Sequence, residues 1–161
     1  MGALRKDIAI MKRASMFGFV LAGLIATASM NLQAQARVVE IQGTDQMKYS
    51  VTNIEAKPGE QITVRLSSVG SMPKMAMAHN FVLLALNADA ATFAQQAALA
   101  GATGYIPAAR EGDVIAKTDL AGAGETVEVT FTAPTEPGSY TYLCSFPGHF
   151  AVGMRGTLVV K

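Results

Sequence analysis

The sequence predicts an all-β protein, a single antiparallel β-sandwich interrupted by a short helical insertion. Three observations point there. Short runs in which polar and apolar residues alternate recur along residues 37–161, as strands with one buried face require. Turns containing Gly or Pro separate those runs, the punctuation expected of a sandwich. One Ala-rich stretch, Ala90 to Ala100, breaks the alternation in mid-chain. From Arg37 onward the chain has about 125 residues, the size of one domain.

Residues 1–36 are expected to be a signal peptide. Arg5, Lys6, Lys12 and Arg13 make a basic start, and an uncharged apolar run follows from about Met16 to Met30. Gln33-Ala34-Gln35-Ala36 then offers a small-residue cleavage site ahead of Arg37. The competing reading is a retained membrane anchor, which needs ~20 apolar residues. Asn31, Gln33 and Gln35 shorten the apolar run below that need. The expectation is therefore a periplasmic protein, membrane-bound only if the N-terminal segment is kept.

The body opens with a β run at Val38-Val39-Glu40-Ile41 and a second at Tyr49 to Ile54. Lys57-Pro58-Gly59-Glu60 is a turn, with Pro and Gly where turns favour them. Gln61 to Leu66 alternates cleanly. Ser67 to Ala78 reads as a loop rich in Gly, Ser, Met and Pro, and Asn80 to Leu86 is nearly continuous in apolar residues. Such a run suits a strand buried on both faces. Asp89 or Asn87 is placed to cap a helix over Ala90–Ala100 that Gly101 stops, with Phe93, Ala97 and Leu99 or Ala100 as its apolar stripe. Gly101 to Gly112 is expected to be loop. Strands resume at Val114–Lys117, Glu125–Phe131, Ser139–Leu143 and Gly156–Val160.

Half of the residues are apolar and 16% are charged, as in a folded, soluble body. The basic residues of the first 36 positions account for the net charge of +1, so the domain itself is nearly neutral. It lacks the basic face of a nucleic-acid binder. The chain has one cysteine, so no disulfide forms within it. In an exported protein a lone Cys is a reactive thiol, an intermolecular bridge or a metal ligand.

That cysteine lies in Tyr142-Leu143-Cys144-Ser145-Phe146-Pro147-Gly148-His149-Phe150-Ala151-Val152-Gly153-Met154, a Cys-x4-His-x4-Met pattern inside one loop. The other of the two histidines, His79, lies far upstream, next to a different strand. One thiolate, two imidazoles and one thioether compose a trigonal His2Cys site with a weak axial Met, the ligand set of an electron-transfer copper centre. Each residue taken singly has a blander reading. Cys144 and the histidines could be satisfied core groups, and Met is a common core filler. Met72, Met75 and Met77 read as packing or an apolar rim. A methionine-rich loading patch is the lesser reading of the same residues, and it is the only support for a copper chaperone or scavenger as the alternative function. A copper oxidase or nitrite reductase fragment needs further histidines. A metal-free adhesion domain leaves the 144–154 spacing unexplained.

The pattern resembles the type 1 blue-copper, or cupredoxin, family, with azurin and auracyanin as its nearest types. Ala78-His79-Asn80-Phe81-Val82-Leu83-Leu84, Val114-Ile115-Ala116-Lys117-Thr118 and the Tyr142–His149 run carry the likeness. The resemblance implies a Greek-key sandwich and no enzyme activity. It also implies a one-electron carrier that meets redox partner proteins transiently through an apolar patch around His149. It makes His79, Cys144 and His149 equatorial copper ligands and Met154 the axial one, with the carbonyl of Ala78 as a further axial neighbour. It also implies that the backbone N–H groups of Asn80 and Phe146 point at the thiolate, and that the Asn80 side chain ties the two ligand segments. The x4 gap between His149 and Met154 is closer to auracyanin or plastocyanin than to azurin. The family's core Trp is absent, and Phe81 stands near its place.

Overall fold

Eight strands form two sheets in a computed structural model, which describes residues 35–161. The expected signal peptide falls almost wholly outside the described residues. Among those described, no helix is long and apolar enough to cross a membrane. The strands are β1 (Arg37–Thr44), β2 (Asn53–Ala56), β3 (Gln61–Val69), β4 (Val82–Leu84), β5 (Val114–Lys117), β6 (Thr126–Thr132), β7 (Gly138–Leu143) and β8 (Arg155–Val160), with helix α1 (Ala90–Ala97) between β4 and β5. One sheet runs β1-β3-β6 and the other β2-β8-β7-β4-β5. The sandwich with a helical insertion is as the sequence predicts. Two ladders, β1 with β3 and β2 with β8, are parallel, and the other four are antiparallel.

The alternation of β3 explains the core. Ile62, Val64 and Leu66 point inward and are fully buried, and they meet Ile54, Leu83, Tyr142 and Leu158 of the facing sheet in one cluster. Each such side chain contributes about 1.5–3 kcal/mol on burial. On the outer face, Arg65 pairs with Glu40 at 2.8 Å and with Glu128 at 3.2 Å. These pairs are exposed and screened by solvent, so they add little to stability.

The apolar run after His79 is buried on both faces, as expected, although the regular strand spans only Val82–Leu84. Leu83 enters the central core. Val82 and Leu84 join Phe93, Ala97, Ile106 and Leu143 in a second cluster beneath α1. Residues 79–81 leave the ladder because their backbone bonds go elsewhere: His79 exchanges both of its bonds with Ala121, and the Phe81 N–H donates to Thr118 Oγ1 at 3.0 Å.

Asp89 is the cap of α1, accepting from Ala91 N at 3.0 Å and Thr92 N at 3.1 Å. The helix is shorter than its Ala-rich stretch. It ends at Ala97, and Leu99 is 90% exposed rather than part of the buried stripe. The connection beyond, expected to be loop, contains two 3-10 segments, Gly101–Thr103 and Ala108–Asp113.

Candidate metal centre

The loop 144–154 joins β7 to β8. Its neck is closed by the Leu143–Arg155 pair of the ladder and by the Cys144 N–H donating to Met154 O at 3.1 Å. Cys144 and Met154 are therefore brought together by the sheet. Within the loop, the His149 N–H donates to Phe146 O, the Met154 N–H to His149 O and the Gly153 N–H to Phe150 O. Gly148 and Gly153 take left-handed backbone angles, φ of 84° and 93°, which suit Gly because it lacks a Cβ. These bends fold His149 back over the neck.

His79 comes from the other side, just ahead of β4, pinned by its bridge to Ala121. The ligand atoms of His79, Cys144 and His149 lie within 4.8 Å of one another, and all three residues are buried. Cys144 Sγ is 3.3 Å from His149 Nδ1, and the two imidazole rings have their centroids 5.1 Å apart. Met154 is fully buried in the same core cluster as Cys144 and Ala78. Ala78 O lies 3.9 Å from Cys144 Sγ, so the carbonyl singled out from the sequence faces the site.

Two segments hold the thiol in place. Asn80 Nδ2 donates to Ser145 Oγ at 2.8 Å, and the Ser145 N–H donates to Asn80 Oδ1 at 2.9 Å. The backbone N–H groups of Asn80 and Phe146 favour the ionised form of the Cys144 sulfur, against the effect of burial. The expected tie between the two segments is thus present. Met77 is buried, whereas Met75 is 95% exposed and packs on nothing.

The donor set asks for a soft metal. Burial pushes the Cys144 thiol up to about 11, only partly opposed by the N–H groups of Asn80 and Phe146. Burial first, and then the neighbouring His79, push His149 down to about 4. His79 is also lowered, by burial, with Asp45 opposing. Both nitrogens of the buried His79 ring lack a hydrogen-bond partner among the described residues. Leaving a buried polar atom unsatisfied costs about 1–3 kcal/mol. Neutral imidazoles, and a thiol that releases its proton to solvent on binding an ion, would relieve that cost together, and thiolate with imidazole is a copper-favouring combination. Copper fits this chain's residues.

Three contributors were not legible in the sequence. Gly43 lies against the His79 ring, where an added Cβ would come 2.8 Å from its Cγ. The buried Tyr49 hydroxyl donates to Asn80 O, and Thr118 receives the Phe81 N–H. Their local sequence does not show these roles, because their partners lie far along the chain.

Comparison with known proteins agrees with this geometry. The family model for copper binding proteins of the plastocyanin/azurin family matches residues 35–161. Azurin from Bordetella pertussis is 40% identical over 148 residues, covering 89% of this chain and 97% of that protein. Azurin from Pseudomonas aeruginosa is 38% identical over 141 residues, covering 86% and 94%. Among solved structures, a reduced auracyanin from Roseiflexus castenholzii superposes with a TM-score of 0.68 at 31% identity, covering 78% of this chain and 98% of that one. An azurin iso-2 from Methylomonas gives a TM-score of 0.67 at 35% identity, with the same coverage. The chain belongs to the copper-binding plastocyanin/azurin family, and copper is its cofactor.

Proposed function

We propose that the protein is an exported type 1 copper protein that carries single electrons between redox partner proteins, with His79, Cys144, His149 and Met154 as its copper ligands. The observation that carries this is the convergence of a buried thiol and two buried imidazoles within 4.8 Å. Copper, when bound there, supplies a one-electron couple. The chain's own part is to keep the donors in one arrangement. Asn80 and Ser145 lock the His79 segment to the Cys144 loop, and the β7–β8 neck fixes Cys144 against Met154. A site so constrained is ready for either charge state without rearrangement. With four donors there is no open position for a substrate, which a catalytic metal site needs.

Electrons would pass through the His149 ring to a partner seated on the loop. His149 itself is only 2% exposed, but Ala151 and Val152 beside it are exposed and uncharged. Phe146 and Phe150 line an apolar groove of about 290 Å³ toward Ala94 of α1 and Ala98, the residue just past its end. An apolar surface of this kind suits brief docking. Signal peptide removal after residue 36 would release the protein into the periplasm.

The deciding experiment is a visible absorption spectrum of copper-loaded protein. An intense blue thiolate-to-copper band, absent in Cys144→Ser, is expected. A colourless complex would overturn the assignment. The exposure of Met75 favours a second reading, a copper chaperone or scavenger. Rapid loss of copper to a competing chelator would support that reading, and slow exchange with reversible reduction would support the carrier.

A further inference from the structure

Tyr49 belongs to a small hairpin above the sandwich. It bridges Gly43, while the Ser50 N–H donates to Gln42 O at 2.9 Å and the Thr44 N–H to Lys48 O at 3.2 Å. The hairpin turns the phenol inward, where Tyr49 is 6% exposed and its ring centroid lies 5.8 Å from that of Tyr142. Its hydroxyl donates to the carbonyl of Asn80, 31 positions along the chain. On the other edge of the same peptide unit, the Phe81 N–H donates to Thr118 Oγ1 at 3.0 Å. The Asn80–Phe81 peptide is therefore held at both its oxygen and its nitrogen.

That peptide adjoins the groups that shape the thiol's surroundings. The Asn80 side chain makes two bonds to Ser145, the residue next to Cys144, and its N–H favours an ionised Cys144 sulfur. A hydrogen bond to a thiolate draws charge off sulfur, and hydrogen bonding around the Cys sulfur tunes the reduction potential of such a site. Less charge on sulfur favours the reduced metal. We propose that Tyr49 is a positioning residue for the copper centre: its hydroxyl fixes Asn80, keeps the Asn80 N–H aimed at Cys144 Sγ, and so holds the reduction potential up. The inference rests on the copper-carrier reading above.

The test compares Tyr49→Phe with Tyr140→Phe in the full chain. Tyr140 is buried too, and its hydroxyl donates to Glu136 O at 2.7 Å, at a bond that involves neither ligand segment. Both variants lose one phenol hydrogen bond, so the comparison separates positioning from a general loss of stability. Tyr49→Phe is expected to lower the reduction potential, shift the blue band and, in the copper-free protein, speed hydrogen exchange at the Ser145 amide. Tyr140→Phe is expected to leave all three at their wild-type values. The proposal is overturned if Tyr49→Phe leaves the potential and the band unchanged. It is equally overturned if the potential moves while Ser145 exchange does not, because polarity rather than position would then be the cause. A wild-type protein with no blue band would instead sink the carrier reading itself.

Discussion

Asn80 and Ser145 exchange two hydrogen bonds, of 2.8 and 2.9 Å, across 65 positions of sequence. One lies next to His79 and the other next to Cys144, so this pair determines how the two donor segments face each other. Asn80→Ala removes both bonds and orphans the buried Ser145 N–H. Destabilisation of about 2–3 kcal/mol is expected, since an unsatisfied buried donor adds its desolvation cost to the lost bonds. Urea unfolding of the copper-free protein measures it. A change below about 0.5 kcal/mol, the size of an ordinary surface substitution, would mean the tie is not structural.

Copper loading should release about one proton near pH 8, because a metal-binding thiol must deprotonate. Burial holds the Cys144 thiol up to about 11, so it is protonated there, whereas His149 at about 4 is already neutral. Calorimetric titration in buffers of different ionisation enthalpy counts the protons. A count near zero would show that Cys144 is already a thiolate in the copper-free protein.

The copper-free protein should lose stability as the pH falls. The His149 imidazole titrates at about 4 when folded, against about 6.5 in an unfolded chain. Between these values the unfolded chain binds more protons, so stability rises with pH across this window and falls as acid is added. The slope approaches about 1.4 kcal/mol per pH unit from this group. Unfolding measured from pH 7 to pH 4 should show it, and His149→Gln should flatten it. A copper-free protein of constant stability over that range would contradict the burial of the ring.

Gly156→Ala should be costly. An added Cβ would sit 2.3 Å from Tyr142 Cζ and 2.6 Å from Thr52 O. The Tyr142 ring cannot swing away freely, because its hydroxyl donates to Val51 O at 2.8 Å. Overpacking of this kind costs about 1–3 kcal/mol, read as a lowered Tm. An unchanged Tm would show that the tyrosine can leave its place at no cost.

Val152→Asp places a charge on the apolar loop surface, where Val152 is 46% exposed. Copper should stay bound with an unaltered band, while electron transfer to a redox partner slows about tenfold for each ~1.4 kcal/mol of docking lost. Stopped-flow transfer rates test this. Equal rates would place the docking surface elsewhere.

The Cys144–His149–Met154 spacing was legible because a hairpin loop writes its geometry in consecutive residues, and β3 and β7 because alternation reports a buried face. Alternation does not report direction. The parallel pairing of β1 with β3 therefore could not be read, nor that of β2 with β8. Leu99 is helical by composition, yet the helix ends at Ala97 and a turn follows before the 3-10 segment that begins at Gly101. Tyr49 and Gly43 act on partners 31 and 36 positions away, and a contact at that separation leaves no trace in local pattern.

The closure of the 144–154 loop by β7 and β8 carries a design consequence. Its two end residues take their places from the sheet, whatever fills the span between them. A family built this way can exchange the intervening stretch like a cassette, revising which surface meets a partner while the anchor points stay where they are.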